Sequence, residues 1–333
     1  MTYHVLVTDY AWPTLDIERK VLSKIGAELI VPKEGSQDEL AALAPQADAI
    51  LVNWNGCSAK VVAAAQKCVI ITRYGVGVDN IDTAAATERG IIVANVPDYC
   101  MDEVSNEAMA MLLAGARRLV FYDRAVRNKV WAVKGGMPFP RVRGLTLGII
   151  GFGRIGKTVA PKAQAFGLRL LVCDPYIDER QKGALAIERT YSLEEVLQQA
   201  DIVTLHTPLN EETKHMIGAP QLRMMKPTAH LINTARGGVI NTPALEQALR
   251  EKWIAGAGID VYEVEPPPAD MELFQHESAT LSAHLGWCSV EAGWDIRYKI
   301  MNDIKACLRG EPPANTVNTE IGEVLGGRVY REV

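Results

Sequence analysis

Three side chains in the second half of the chain have the types and settings to hold an acid and move a proton. Arg236 lies in Asn-Thr-Ala-Arg-Gly-Gly (233–238), directly after an apolar run, where a guanidinium can grip a carboxylate through two parallel hydrogen bonds. His284 lies in Ser-Ala-His-Leu-Gly-Trp (282–287), and histidine alone has an unperturbed pKa near neutrality. Glu265, in Tyr-Glu-Val-Glu-Pro (262–266), would favour the imidazolium if it lay beside that ring. Taken singly, each has a plainer use: a surface charge, a structural histidine, a solvated loop carboxylate. Taken together they are the helpers that hydride exchange requires, namely a cation for the substrate, a proton donor and acceptor, and a group that tunes it.

The partner for such chemistry is written in residues 144–174. An apolar run, Leu147 to Ile150, meets Gly151, Gly153 and Gly156 in G-x-G-x-x-G spacing, with Arg154 and Ile155 between them. A helical pattern and a second apolar run ending at Asp174 follow. Strand, tight turn, helix and strand would present helix N-terminal amides to a pyrophosphate, and Asp174, about twenty residues on, would accept the adenosine ribose. Asp174 and the following Pro175-Tyr176-Ile177 offer a 2'-phosphate repulsion and no arginine, which points to NAD.

Length and composition bound the rest. The 333 residues suffice for two domains, and 48% apolar with 23% charged residues is a globular composition. A net charge of −5 gives no global attraction to nucleic acid or anionic membrane, so neither is expected as a partner. The N-terminus lacks the parts of a signal peptide and no apolar run reaches membrane-spanning length, so a cytoplasmic protein is expected. Six cysteines without C-x-x-C pairs suggest neither a disulfide frame nor a metal site.

Those functional residues need scaffolds. From Tyr3 to Val96, short apolar runs alternate with helix-like segments, which predicts a parallel sheet wrapped by helices with functional loops at the strand C-termini. Two such loops are Asn53-Trp54-Asn55-Gly56 and Arg73-Tyr74-Gly75-Val76-Gly77-Val78; in the second, exposed amides near the glycines could face an anion beside Arg73, or the turn could simply need two glycines. Met101 to Arg118 reads as a long helix, either an interdomain spacer or a packing helix. After Asp174 the alternation resumes: Ser192 and Glu195 read as a capping box, strands at 201–206, 229–233, 255–261 and 279–283 bring the second sheet to about six, and Thr242-Pro243 reads as an N-cap with first-turn proline. A helix from Val290 to Leu308 and the return through Val317-Asn318 complete the chain.

Asn-Thr-Ala-Arg-Gly-Gly, Gly-Ala-Gly-Ile-Asp-Val-Tyr-Glu-Val-Glu-Pro (with Asp260) and Ser-Ala-His-Leu-Gly-Trp, set after Gly-Phe-Gly-Arg-Ile-Gly, resemble the D-isomer-specific 2-hydroxyacid dehydrogenase family in order and spacing over nearly the whole chain. Arg73-Tyr74-Gly75-Val76-Gly77 and the segment from His206 to Ile217 are similar too, and Trp287 looks like the C-terminal-binding-protein branch with its prokaryotic dehydrogenase relatives.

The resemblance implies two Rossmann- or flavodoxin-like doubly wound parallel-sheet α/β domains with an active-site cleft between them. Residues 1–101 plus 290–333 would bind substrate and 102–289 would bind NAD. Arg236, Glu265 and His284 would be catalytic, while Arg73, Tyr74, Gly75, Val76, Gly77 and Trp287 would contact a small 2-oxoacid or 2-hydroxyacid. The cofactor would meet Gly151, Gly153, Arg154, Ile155, Gly156, Asp174, Thr207, Pro208, Thr213, Thr234 and Ala235, with Asp260 near its nicotinamide end. A homodimer is implied, as is NAD-dependent 2-oxoacid reduction; a dinucleotide-sensing corepressor-like scaffold and oxidation of phosphite are the alternatives on the same fold. Ala283 departs from the proline common before the histidine, and Asn241-Thr242 replaces a frequently acidic pair. The chain ends soon after Asn318, so the regulatory domain of long phosphoglycerate dehydrogenases is not expected. Trp54, Tyr74, Trp287 and the Met137 segment suggest a partly apolar pocket, or core positions.

Overall fold

The computed structural model describes residues 2–131, 134, 138–177, 186–190 and 192–324, so the Met137 segment lies outside the described residues. The chain divides into two compact units, Met1–Tyr99 with Ser289–Val333, and Cys100–Cys288.

In the first unit, β1 (Tyr3–Val7), β2 (Ala27–Ile30), β3 (Ala49–Val52), β4 (Ile70–Arg73) and β5 (Ile92–Ala94) form one parallel sheet in the order β2-β1-β3-β4-β5. Every residue of β3 and β4 is buried, as expected of central strands covered by helices on both faces. The covering helices start where the sequence supplies an acceptor for an orphan amide: Ser36 takes Glu39 N–H, Asp82 takes Ala85 N–H and Ser289 takes Ala292 N–H. The C-terminal return is fastened to β5 by Asn318, 2% exposed, which accepts from Val93 N–H at 2.8 Å and donates to Ile91 O at 3.0 Å.

Among its described residues the second unit carries seven parallel strands: β6 (Thr146–Ile150), β7 (Arg169–Cys173), β8 (Ile187–Thr190), β9 (Ile202–Leu205), β10 (His230–Asn233), β11 (Gly256–Ile259) and β12 (Ala279–Leu281), ordered β12-β11-β10-β9-β6-β7-β8. The sequence reading of about six missed β8, because Ile-Glu-Arg-Thr is a short edge strand whose charged residues mask its apolar alternation. The helix Met101–Ala116 packs on β10, β11 and the helix Arg154–Ala165 of the same unit, burying Val104, Ala108, Met109, Met111 and Leu112. It is therefore a core helix of this unit. A further helix, Leu119–Arg127, follows it, one that the apolar patterning alone does not mark. The helix after β10 is capped by Asn241, not Thr242: its Oδ1 accepts from Ala244 N–H at 3.0 Å, and Thr242-Pro243 open the first turn.

Chain direction across the seven-stranded sheet reverses between β6 and β9, where open α/β sheets place their ligands beyond the strand C-termini. Gly151 follows β6 there, and His206-Thr207 follows β9. Among the described residues no helix is long and apolar enough to cross a membrane.

Candidate active site

At the switch point the glycine turn has the shape a dinucleotide needs. Gly151 adopts φ +88°, and a β-carbon on Gly156 would stand 2.4 Å from Gly151 O, so the helix packs on the turn only because residue 156 has no side chain. Gly153 caps that helix with open space around it, and Arg154 beside it is exposed, leaving the first amides, including that of Ile155, accessible. Asp174 is fixed between the two strand ends: Phe152 N–H donates to Oδ2 at 2.6 Å and Tyr176 N–H to Oδ1 at 2.7 Å. Each carboxylate oxygen keeps a lone pair for a diol.

Neighbouring strand ends add two buried polar atoms that find no partner among the described residues, His206 Nδ1 and Thr234 Oγ1. Burial lowers the His206 pKa to about 4, so its ring is neutral, and its Nε2 lies 3.0 Å from Thr204 Oγ1. Orphan polar groups beside a glycine cradle are what a ligand with hydroxyl and amide groups would satisfy. Other positions read as cofactor contacts shape the loops. Thr213 Oγ1 donates to Pro208 O at 2.6 Å and accepts from Asn210 N–H at 2.9 Å, closing the turn after Thr207-Pro208.

The turn after β10 is set by Asn233, a residue the sequence reading used only as a strand end. Its side chain accepts from Ala235 N–H at 3.0 Å and donates to Arg236 O at 2.9 Å, folding residues 234–236 back on the strand. An asparagine at a strand end can template such a turn, and that was the available signal. Arg236 donates through Nη1 to Ala235 O at 2.8 Å. Gly237 then lets this loop meet the one carrying Glu265, since a β-carbon on it would stand 1.9 Å from the Tyr262 carbonyl carbon.

Glu265 and His284 come together: Oε2 lies 2.6 Å from Nδ1, both side chains largely buried. Burial pushes the Glu265 carboxyl upward, but the hydrogen bond and charge of His284, the Tyr262 N–H and the charge of Arg236 outweigh it and hold the group below its ordinary range. His284 itself sits at φ +54°, a left-handed conformation that a non-glycine residue holds only when its surroundings impose it.

Asp260 imposes it. This carboxylate, 1% exposed, accepts from Leu285 N–H at 2.9 Å, Gly286 N–H at 3.0 Å and Ser282 Oγ at 2.5 Å, while its backbone carbonyl accepts from His284 N–H at 2.7 Å. Residue 283 is exposed and takes no part, so alanine there leaves the loop's anchor intact. Asp260, which the resemblance would put near the nicotinamide end of the cofactor, braces the histidine loop. Trp287, half-buried, ends that loop.

In the first unit the loop after β4 is pinned through its carbonyls. Gly75 O accepts from Val96 N–H at 3.0 Å, Val76 O from the Asn95 side-chain amide, and Gly77 O from Arg73 Nη1 at 2.8 Å. The amides of Val76 and Gly77 find no acceptor among the described residues. Carbonyls tied back with amides left over make an anion-receptive concavity. Arg73, 9% exposed, thus works in part as a brace of the loop. Tyr74 is buried, with its hydroxyl directed to Glu18 at 2.7 Å. Trp54, 43% exposed, stands on the loop after β3, whose amides at 54 and 55 are held by Asp9.

Comparison with known proteins converges on one group. The profile of the D-isomer specific 2-hydroxyacid dehydrogenase NAD binding domain matches residues 109–286. The glyoxylate reductase of Korarchaeum cryptofilum is 45% identical over 269 residues, 80% of this chain and 81% of that protein. The D-3-phosphoglycerate dehydrogenase of Methanocaldococcus jannaschii is 37% identical over 315 residues, 94% of this chain and 59% of its own length. Among solved structures, the D-lactate dehydrogenase from Aquifex aeolicus, complexed with NAD and lactic acid, superposes with a TM-score of 0.82 at 26% identity, covering 92% of this chain and 96% of that one.

Proposed function

Because the chain belongs to the D-isomer specific 2-hydroxyacid dehydrogenase family, we propose that it is a cytoplasmic NAD-dependent 2-oxoacid reductase, equally a D-2-hydroxyacid dehydrogenase, with His284 as its acid and base. The observation that carries this reading is the 2.6 Å His284–Glu265 pair, held by Asp260 in the same unit as a dinucleotide cradle. Gly151 to Gly156 and Asp174 would hold the cofactor's pyrophosphate and ribose, and Thr234 and His206 would meet its polar edges. When bound, NADH supplies the hydride for the substrate's carbonyl carbon. Arg236 would hold the substrate carboxylate and His284 would deliver the proton to the carbonyl oxygen, while in the first unit the Val76 and Gly77 amides would be the anion-receptive group. Residues 1–101 with 290–333 serve the substrate and residues 102–289 serve NAD.

Loss of NADH absorbance with glyoxylate, pyruvate, hydroxypyruvate, branched and aromatic 2-oxoacids tests this, with glyoxylate first because the relative at 45% identity is a glyoxylate reductase. A persistent blank across that panel, with NADH still bound, would overturn it. NADH should outperform NADPH in kcat/KM, since Asp174 would repel a 2'-phosphate and Tyr176 and Ile177 offer it no cation. Equal values for the two cofactors would sink the assignment of Asp174.

Glu265 Oε2 faces His284 Nδ1 at 2.6 Å and orients the ring. Glu265→Gln should therefore lower kcat/KM for reduction while NADH affinity stays constant; a wild-type kcat/KM would remove Glu265 from the mechanism. The lowered Glu265 pKa also means that its contribution to stability is present above its unfolded value and lost as pH falls through the folded one.

The chain acts as a homodimer in this reading. Leu119, Val126 and Trp131, on and just beyond the helix Leu119–Arg127, are 62%, 54% and 83% exposed, an apolar surface that a second copy would cover. Light scattering that returns the mass of one chain would exclude it.

A further inference from the structure

The substrate loop after β4 has a second set of fasteners that no catalytic role requires. Tyr74 donates its N–H to Val52 O at 2.8 Å and its hydroxyl to Glu18 Oε1 at 2.7 Å. Glu18, on the helix Asp16–Leu22, is 0% exposed and is gripped by Arg297 of the helix Val290–Cys307, Nε to Oε1 at 2.7 Å and Nη2 to Oε2 at 2.6 Å. Nη2 also donates to Thr14 O at 2.8 Å. Trp12 meets the Tyr74 ring edge-on at 5.6 Å, with the Arg297 guanidinium 5.3 Å from its own ring centre.

The chemistry suits positioning. A buried carboxylate and guanidinium gain little over apolar packing of the same volume, but their paired geometry admits few arrangements. Glu18 Oε1 is shared between Arg297 and the tyrosine, so the phenol is placed by two helices distant in sequence. Burial and the Glu18 charge push the Tyr74 phenol well above its ordinary value, which keeps it a neutral donor. Residue 74 lies between Arg73 and Gly75, so fixing its side chain fixes where the amides of Val76 and Gly77 begin.

We propose that Glu18 and Arg297 are positioning residues for the substrate carboxylate, acting through the Tyr74 hydroxyl on the loop Arg73 to Gly77. This rests on the reading of that loop as the carboxylate receiver. Glu18 and Arg297 touch neither substrate nor cofactor; they preset the receptor.

The test is Tyr74→Phe, which keeps the ring and its packing and deletes one hydrogen bond to a charged group. The KM for the best 2-oxoacid should rise about tenfold, the low end of the scale for such a bond, with kcat within about twofold and NADH affinity unchanged. The double variant Glu18→Leu with Arg297→Met replaces the pair by apolar side chains of similar size, and should fold, melt near the wild type and show the same rise in KM. A Tyr74→Phe enzyme whose KM stays within about twofold of an active wild type overturns the inference alone. So does a double variant that melts lower with unaltered KM, because that is a purely structural role. A wild type inert towards every 2-oxoacid sinks the functional reading and this inference together.

Discussion

His284→Ala is expected to lower kcat for 2-oxoacid reduction by roughly 100-fold or more at every pH, the usual scale for removing a general acid. The structure explains why the loss should be chemical and not structural. The imidazole is partly accessible, and its loop is held by Asp260 through Leu285 N–H, Gly286 N–H and Ser282 Oγ, none of which involves the histidine side chain. NADH affinity and melting temperature should therefore stay near the wild type. Glu265 would lose its partner but keep the Tyr262 N–H at 2.9 Å and the charge of Arg236. An alanine variant that turned over normally would remove His284 from the mechanism.

Arg236→Lys should be the other large loss, although it conserves charge. A lysine ammonium is a point charge without the planar fork, so one of two parallel hydrogen bonds to the substrate carboxylate disappears. A hydrogen bond to a charged group contributes about 1.5 to 3 kcal/mol, so kcat/KM should fall about 10- to 150-fold. The backbone at this position is set chiefly by Asn233 and by the approach of Gly237 to Tyr262, with the arginine side chain adding one hydrogen bond to Ala235 O. Cofactor affinity should accordingly be nearly unaffected. Wild-type kcat/KM in the lysine variant would show that Arg236 is not the carboxylate clamp.

The dinucleotide strand, turn and helix were legible in residues 144–174 because every requirement there is local: an apolar run, glycines at fixed spacing, an acid at the end of the next strand. The alternation of apolar runs with helical periodicity likewise marked eleven of the twelve strands among the described residues, and β8 escaped because an edge strand carries charges where a central one cannot. His284, Glu265 and Arg236 could be named from their settings, but a chain read as letters does not place an acid 19 residues from a histidine at 2.6 Å from its ring.

What tertiary structure alone decided is the work of the buried polar groups. Asp260 holds a loop 25 residues away, Asn315 donates to Asn95, which holds Val76, and Glu18 meets Arg297 at a separation of 279 residues. Glu18 lies on a helix and Asn95 just after a strand, and either could pass for a solvated side chain in a one-dimensional pattern. Local sequence records propensity and periodicity, which fix the elements. The partner that compensates a buried charge or amide is chosen by which distant segments the fold packs against it, and that choice is made only when the strands assemble in the order β2-β1-β3-β4-β5 and β12-β11-β10-β9-β6-β7-β8.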